Sequence, residues 1–227
     1  MQTPITLLVL LFSVVIHECA HGWTAERCGD GTAREEGRLT LNPLRHIDPV
    51  GTILVPLILA LLPGGMVFGW AKPVPVNPWR LRDMRRDQAL VAAAGPASNL
   101  LLAGVCALLQ GLLAGFAGLP SGPLGGGLAA DLKLFIFQLL GAGIYLNVLL
   151  ALFNLIPLPP LDGSWIVLRW LRGEAAVAYD RLRPFGFFIV LILMNVGLGG
   201  ALNRAVMAVA GRYIDLANFV LRLVRSL

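Results

Sequence analysis

A chain of 227 residues that is 57% hydrophobic and only 14% charged, with a mean hydropathy of +0.76, falls well short of the roughly 25% charged residues of a soluble domain. This excludes a soluble globular enzyme and indicates an integral membrane protein. The net charge of +5 is spread through loops rather than gathered in a tail, which fits a bilayer orientation signal and not a nucleic-acid-binding face.

The first apolar segment covers residues 4–27. No Lys or Arg precedes Arg27, so it lacks the basic start of a signal peptide and is expected to be retained. Pro4 suits a first helical turn, and a helix of this length crosses a hydrocarbon core of about 30 Å. Near its end lies Ile16-His17-Glu18-Cys19-Ala20-His21. On a helix, His17 and His21 fall one turn apart on the same face. Two imidazoles so placed can hold one zinc ion, with Glu18 as general base towards a water. Three polar residues merely capping a membrane helix would be the structural alternative. Ionisable groups inside a membrane-length apolar segment are costly, however, and mark function. The three cysteines, Cys19, Cys28 and Cys106, have unrelated spacings and form neither a disulfide framework nor a C-x-x-C metal site. Cys19 points off the histidine face and reads as a packing residue.

Residues 27–48 are polar, and 37–43 alternate weakly, which predicts a short strand. His46, the remaining histidine, reads as a solvated loop residue, or as a rival for a third metal ligand. Residues 50–62 are apolar around Pro56 but make a helix of only about 20 Å, too short to cross comfortably. Basic loops on both sides favour a re-entrant hairpin, with a tilted span as the alternative. Residues 68–79 hold too many prolines for a helix and predict extended backbone. Beside a membrane such backbone must be covered by protein or line a cavity, and its edge could pair with another extended chain. Val74 and Val76 are therefore expected beside the cleft as substrate-binding residues. Trp70 and Trp79 would anchor this segment at the interface.

Residues 89–117 are an uncharged span with Gly95-Pro96-Ala97-Ser98-Asn99 in the first half. Gly-Pro permits a kink and close helix approach, and Asn99 can hydrogen-bond to a neighbouring helix. Residues 118–130 read as a non-cytoplasmic loop. Residues 132–156 span again, carry Asn147 and Asn154, and run into Pro157-Leu158-Pro159-Pro160-Leu161-Asp162-Gly163. The prolines break the helix at membrane depth. A lone carboxylate at Asp162 needs a partner there, and a metal on His17 and His21 would be one. The alternation of spans puts Asp162 at the same end as the two histidines.

Residues 164–183 are short and basic, and 184–203 are long enough to span. In residues 201–227, Arg204, Arg212, Asp215, Arg222 and Arg225 fall within roughly 140° of one another on a helix. Such an amphipathic helix either crosses with its polar face inward or lies in the interface. Crossing is favoured, because it would end Arg222 and Arg225 on the positive side. The expected fold is an all-α polytopic membrane protein with about five to six membrane helices, a re-entrant segment and short membrane-associated β-strands. It forms one domain over residues 1–227, with a catalytic core at about 4–172 and C-terminal helices at about 178–227.

His17-Glu18-x-x-His21, Gly95-Pro96-x-x-Asn99 and Asn154-x-x-Pro157 with Leu161-Asp162-Gly163 follow one another on successive spans. In this order they resemble the site-2 protease family of intramembrane zinc metalloproteases. Phe68-Gly69-Trp70-Ala71-Lys72-Pro73-Val74 resembles a stretch in a compact prokaryotic branch of it, without a PDZ-like insertion or appended regulatory domain. The resemblance covers about residues 8–170. It implies one Zn²⁺ per chain on His17, His21 and Asp162, with Glu18 as the base and Asn154 helping to hold substrate. Gly95, Pro96, Asn99 and Gly163 are implied as structural motif positions. It also implies a multi-pass protein of a prokaryotic cytoplasmic membrane whose active site lies towards the cytoplasm. The partners implied are transmembrane protein substrates and the bilayer, and no nucleic acid. The other reading is a non-catalytic zinc-binding membrane protein or metal permease. Permeases usually need polar residues repeated along a path, and this chain has one cluster.

Overall fold

The computed structural model describes residues 2–54, 71–118 and 127–226. It is helical almost throughout. Helix α1 is Gln2–Arg27 and a single turn, α2, is Thr32–Glu35. Helix α3 is Met84–Ala117 and α4 is Leu128–Asn154. Two short helices follow, α5 at Asp162–Leu168 and α6 at Gly173–Asp180. Helix α7 is Gly186–Leu193, and α8 is Gly199–Arg225. Four runs are long and apolar enough to cross a membrane: Pro4–Arg27, Met84–Ala117, Leu128–Asn154 and Gly173–Arg225. The chain is thus a membrane protein, with four candidate spans among the described residues.

Local chemistry sets the helix ends. Asp83 accepts from the Arg86 amide at 3.0 Å, while Asp87 reaches back to the Asp83 amide at 3.0 Å. This reciprocal cap starts α3 five residues before its apolar stretch. Helix α3 stops at Gly118, whose φ of 73° suits a residue without a Cβ. Helix α4 stops at Asn154, just before the prolines that cannot continue it.

Helices α1, α3 and α4 pack on one another, and α8 packs on α3 and α4. Ala103, Ala107, Ile144, Val148 and Val206 form the centre of the main core. Ile5, Val9 and Leu146 form a second one between α1 and α4. Lipid tails are as apolar as leucine, so the gain in such a bundle comes from close approach through small side chains. Gly111 shows the device. A Cβ there would overlap the Ala217 carbonyl and come within 2.8 Å of Val220.

Helix α8 runs beside α3 in the same direction. The Tyr213 hydroxyl donates to the Leu100 carbonyl at 3.0 Å, Gly111 faces Ala217, and Gly115 faces Val224. Helix α8 therefore packs along the length of α3 within the bundle. This also corrects the expected direction. Arg222 and Arg225 lie at the Gly115 end, about 30 Å along α3 from Gly95 at 1.5 Å per residue, not at the end of the basic loops.

Other expectations are corrected too. Among the described residues there is no strand. Residues 37–43 lack one, and residues 71–77 form an extended strap without a partner strand. Pro73 and Pro75 have no amide to give a ladder, and the amides of Lys72, Val74 and Asn77 go elsewhere. Residues 184–203 lie within the apolar run Gly173–Arg225, but not as one uninterrupted helix. They divide into α7 and a π-helical turn at Met194–Leu198, broken at Gly197 with φ of 129°, a value only glycine adopts readily. The short basic stretch 164–183 carries most of α5 and all of α6. Of the expected re-entrant segment, Pro49–Leu54 is a short π-helical turn. The rest of it, like Phe68 to Trp70 and most of the 118–130 loop, lies outside the described residues.

Candidate active site

Four elements converge near the end of α1. The α1 helix presents His17 and His21 from one face, both buried. The rings meet edge to face, their centroids 4.6 Å apart. Helix α3 passes directly behind them. A Cβ on Gly95 would stand 2.5 Å from His21 Cε1 and Nε2 and 2.6 Å from His17 Cε1, so only glycine fits. Helix α5 begins with Asp162 and brings its carboxylate over the two rings. Gly163 makes that possible, because a side chain there would overlap the Leu155 and Ile156 carbonyls. Asp162 Oδ2 lies 3.1 Å from His17 Nε2 and 3.4 Å from His21 Nε2.

The hydrogen bonds around the rings place their protons. Asn99 Nδ2 donates to Asn147 Oδ1 at 2.8 Å and to the Ser13 carbonyl at 3.3 Å. Its Oδ1 is therefore the acceptor facing His17 Nδ1 at 2.6 Å, and His17 carries its proton on Nδ1. His21 Nδ1 faces the Val91 carbonyl at 2.7 Å, which can only accept, so His21 is protonated on Nδ1 as well. Both Nε2 atoms then present lone pairs towards Asp162 Oδ2, which is buried without a hydrogen-bond partner among the described residues. Three acceptors facing one another repel unless a cation sits between them. One ligand atom from each of His17, His21 and Asp162 lies within 4.8 Å of the others. Two imidazoles and a carboxylate are the donor set of an open tetrahedral zinc site. The residues present fit a zinc ion.

Glu18 stands on the adjacent α1 face and accepts from the Val74 amide at 2.8 Å. That bond belongs to the strap. Two further strap amides are spent similarly: that of Lys72 on the His46 carbonyl at 2.9 Å, and that of Asn77 on Asp30 at 2.6 Å. Buried Arg38 donates to the Lys72 and Pro73 carbonyls at 2.9 and 3.3 Å. The strap approaches α1 closely at Gly22, where a Cβ would come within 2.9 Å of Val74. A cavity of about 400 Å³ lies between strap, α1 and α5, and His17, Glu18, His21, Val74, Val76, Asn154 and Asp162 are among the residues that line it. Asn154 donates to the Leu150 carbonyl at 3.0 Å, which leaves its Oδ1 for the cavity.

His46 is not solvated. It is 2% exposed, its Nε2 donates to the Thr40 carbonyl at 2.9 Å, and it stands outside the triad as a clip for its loop. Cys19 is buried and donates to the same carbonyl at 3.1 Å, in keeping with packing. Asp30, fully buried, accepts from the Thr32 amide at 3.1 Å, from the Thr32 hydroxyl and from Asn77. Burial alone would raise its pKa. The Thr32 and Asn77 donors, with Arg80 nearby, outweigh that and hold it below the ordinary carboxylate value.

Sequence reasoning overlooked the parts played by Asn147, Asp30, Arg38, Gly22 and the Val91 carbonyl. Asn147, a polar residue inside an apolar span, carried a usable signal. Asp30 and Arg38 sit in a charged loop and look like any solvated pair.

The pattern of Peptidase family M50 matches residues 5–130. A Bacillus subtilis protein provisionally named zinc metalloprotease YwhC is 38% identical over 196 residues, covering 86% of this chain and 82% of the relative. A Mycolicibacterium smegmatis protein provisionally named zinc metalloprotease Rip2 is 33% identical over 86% of this chain and 66% of the relative. Its namesake in Mycobacterium tuberculosis H37Rv is 32% identical over 81% of this chain and 63% of the relative. The chain thus spans slightly less than two thirds of the length of these mycobacterial proteins. No solved structure matches it significantly. With these matches and its zinc-type donor set on apolar helices, the chain belongs to peptidase family M50, the site-2 protease family of zinc metalloproteases.

Proposed function

We propose that this protein is the protease of a regulated intramembrane cleavage, hydrolysing peptide bonds within or near the transmembrane segments of other membrane proteins. The observation that carries the reading is the convergence of two imidazole lone pairs and an orphaned carboxylate oxygen at the end of a membrane helix. His17, His21 and Asp162 hold the zinc. Zinc in such a site polarises a peptide carbonyl and lowers the pKa of a water.

Glu18 acts as the general base. The Val74 amide holds its Oε2, so Oε1 is left to take the proton of the attacking water and return it to the leaving amine. Asn99 and the Val91 carbonyl keep the imidazoles in the tautomer that leaves Nε2 free, the role such outer hydrogen bonds play around metals. Substrate enters the cavity unwound, because a helix shields its own peptide bonds with backbone hydrogen bonds. The strap walls the cavity with Val74. Val76, whose amide has no hydrogen-bond partner among the described residues, offers one backbone contact to an extended substrate. Asn154 faces that substrate from the opposite wall.

The basic loops before α3 and after α4 favour the cytoplasmic face of a prokaryotic cell membrane for the end bearing His17, His21 and Asp162. The test is cleavage of single-span membrane substrates by purified full-length protein, with zinc, with a chelator, and with Glu18→Gln. The expected result is cleavage restored by zinc in the native chain, and stoichiometric zinc without cleavage in the variant. Cleavage by Glu18→Gln at a near-native rate would overturn the mechanism.

A further inference from the structure

Helix α8 buries Leu202, Val206, Ala210 and Ala217 against α3 and α4. On the opposite side, at 100° per residue, Gly200, Arg204, Ala208, Gly211, Asp215 and Arg222 fall within roughly 80°, with Arg212 flanking. All except half-buried Gly211 are exposed. Arg212 adjoins Tyr213, bonded at Leu100, and Asp215 lies between Tyr213 and Ala217, packed at Gly111. They therefore lie beside the middle of the α3 span. Ionised side chains at that depth almost always pair or face protein or water. Yet among the described residues neither Arg212 nor Asp215 has a hydrogen-bond or ion-pair partner. The stretches outside the description, 55–70 and 119–126, contain no Asp, Glu, Lys or Arg and cannot neutralise them.

We propose that this face is the interface of a parallel homodimer, with α8 of a second copy as its occupant. Both copies insert with the same orientation, so the two-fold axis runs along the membrane normal. Arg212 of each copy then lies one turn from Asp215 of the other, which gives two symmetric Arg–Asp pairs from one patch, as an isologous contact requires. Gly200, Ala208 and Gly211 clear the same stripe for close backbone approach. Arg204 and Arg222 sit about two turns nearer the ends and reach the interfacial water along their stems. No residue of α8 lines the active-site cavity, so the dimer leaves the cleft free.

The experiment counts photobleaching steps of singly labelled full-length protein in vesicles over a range of protein-to-lipid ratios. The native chain is expected to show two steps. Arg212→Asp and Asp215→Arg should each weaken association about tenfold, the size of one or two lost intramembrane polar contacts, and the double swap Arg212→Asp with Asp215→Arg should restore it. Single steps at every density, single variants equal to the native chain, or a double swap as weak as its parents would overturn the proposal. A second readout survives poor behaviour of the charge variants. Ala208→Cys should cross-link to itself under oxidation, whereas Ile214→Cys, about 120° round the helix, should not. The reverse pattern, or coupling only to a substrate helix, would sink the homodimer.

Discussion

His17 Nδ1 lies 2.6 Å from Asn99 Oδ1, a contact between α1 and α3 that decides which nitrogen of the ring faces the centre of the site. Asn99 is itself oriented by Asn147 on α4. Three helices are therefore tied through one amide to one imidazole, and the tie is buried where water cannot substitute for it. Replacing Asn99 with Leu keeps the volume and removes the acceptor. Zinc affinity, measured by competition with a chelator, should fall about 10- to 100-fold. Asn147→Leu should cause a smaller loss, because it acts only through Asn99.

Asp162 and His46 separate by the same measurement. Asp162→Ala removes the carboxylate facing both Nε2 atoms and should abolish both zinc binding and cleavage. His46→Ala should keep stoichiometric zinc by elemental analysis. It should also lower stability by about 1–3 kcal/mol, because a buried hydrogen bond to Thr40 is lost. Zinc retained in the first variant and lost in the second would reverse the assignment.

Gly95→Ala tests the cradle behind the rings. The new methyl would sit 2.5 Å from His21, so one ring or the helix must move. Overpacking of this kind costs about 1–3 kcal/mol. The displaced Nε2 atoms should reduce zinc content even where thermal unfolding shows a folded protein. Native zinc affinity in this variant would mean that the helices part without cost.

Val74→Pro removes the amide that holds Glu18. Cleavage should fall at least tenfold while zinc content stays native, since none of the three facing acceptors is touched. Unchanged activity would show that Glu18 needs no backbone anchor.

The strap should loosen in acid. Asp30 has a pKa below its ordinary value in the fold, so its contribution to stability is present above the unfolded-state pKa of about 3.9. It is lost as pH falls below that through the folded pKa. Hydrogen exchange of the Asn77 amide should accelerate in this window, and Asp30→Asn should show the faster exchange already at pH 7. An Asn77 amide insensitive to both changes would remove Asp30 from this role.

Several features were legible because they depend on local spacing or on apolar length. Three spans read nearly to their ends, since a run that crosses lipid must satisfy its backbone internally. The one-turn separation of His17 and His21 is likewise a property of any helix. The errors share a cause. The predicted strands failed because the donors of Lys72, Val74 and Asn77 are taken by a carbonyl and two carboxylates distant in sequence. The stretch 184–203 lies within an apolar run long enough to cross, but it is kinked at Gly197, and the glycines at 197, 199 and 200 were a usable sign of that break. His46 looked solvated because burial of a loop residue depends on what covers it.

By itself, the sequence determined membrane class, the helical segments, the family and the residue types available for zinc chemistry, all of which follow from composition and short-range periodicity. Tertiary structure alone decided that Asp162 from α5 meets His17 and His21 from α1, which proton each imidazole carries, and that Arg222 and Arg225 end opposite the site. Those outcomes depend on groups as far apart as Ser13 and Asn99, or Leu100 and Tyr213. Their proximity is set by helix packing through small residues such as Gly95 and Gly111, whose partners cannot be read from either residue's neighbours.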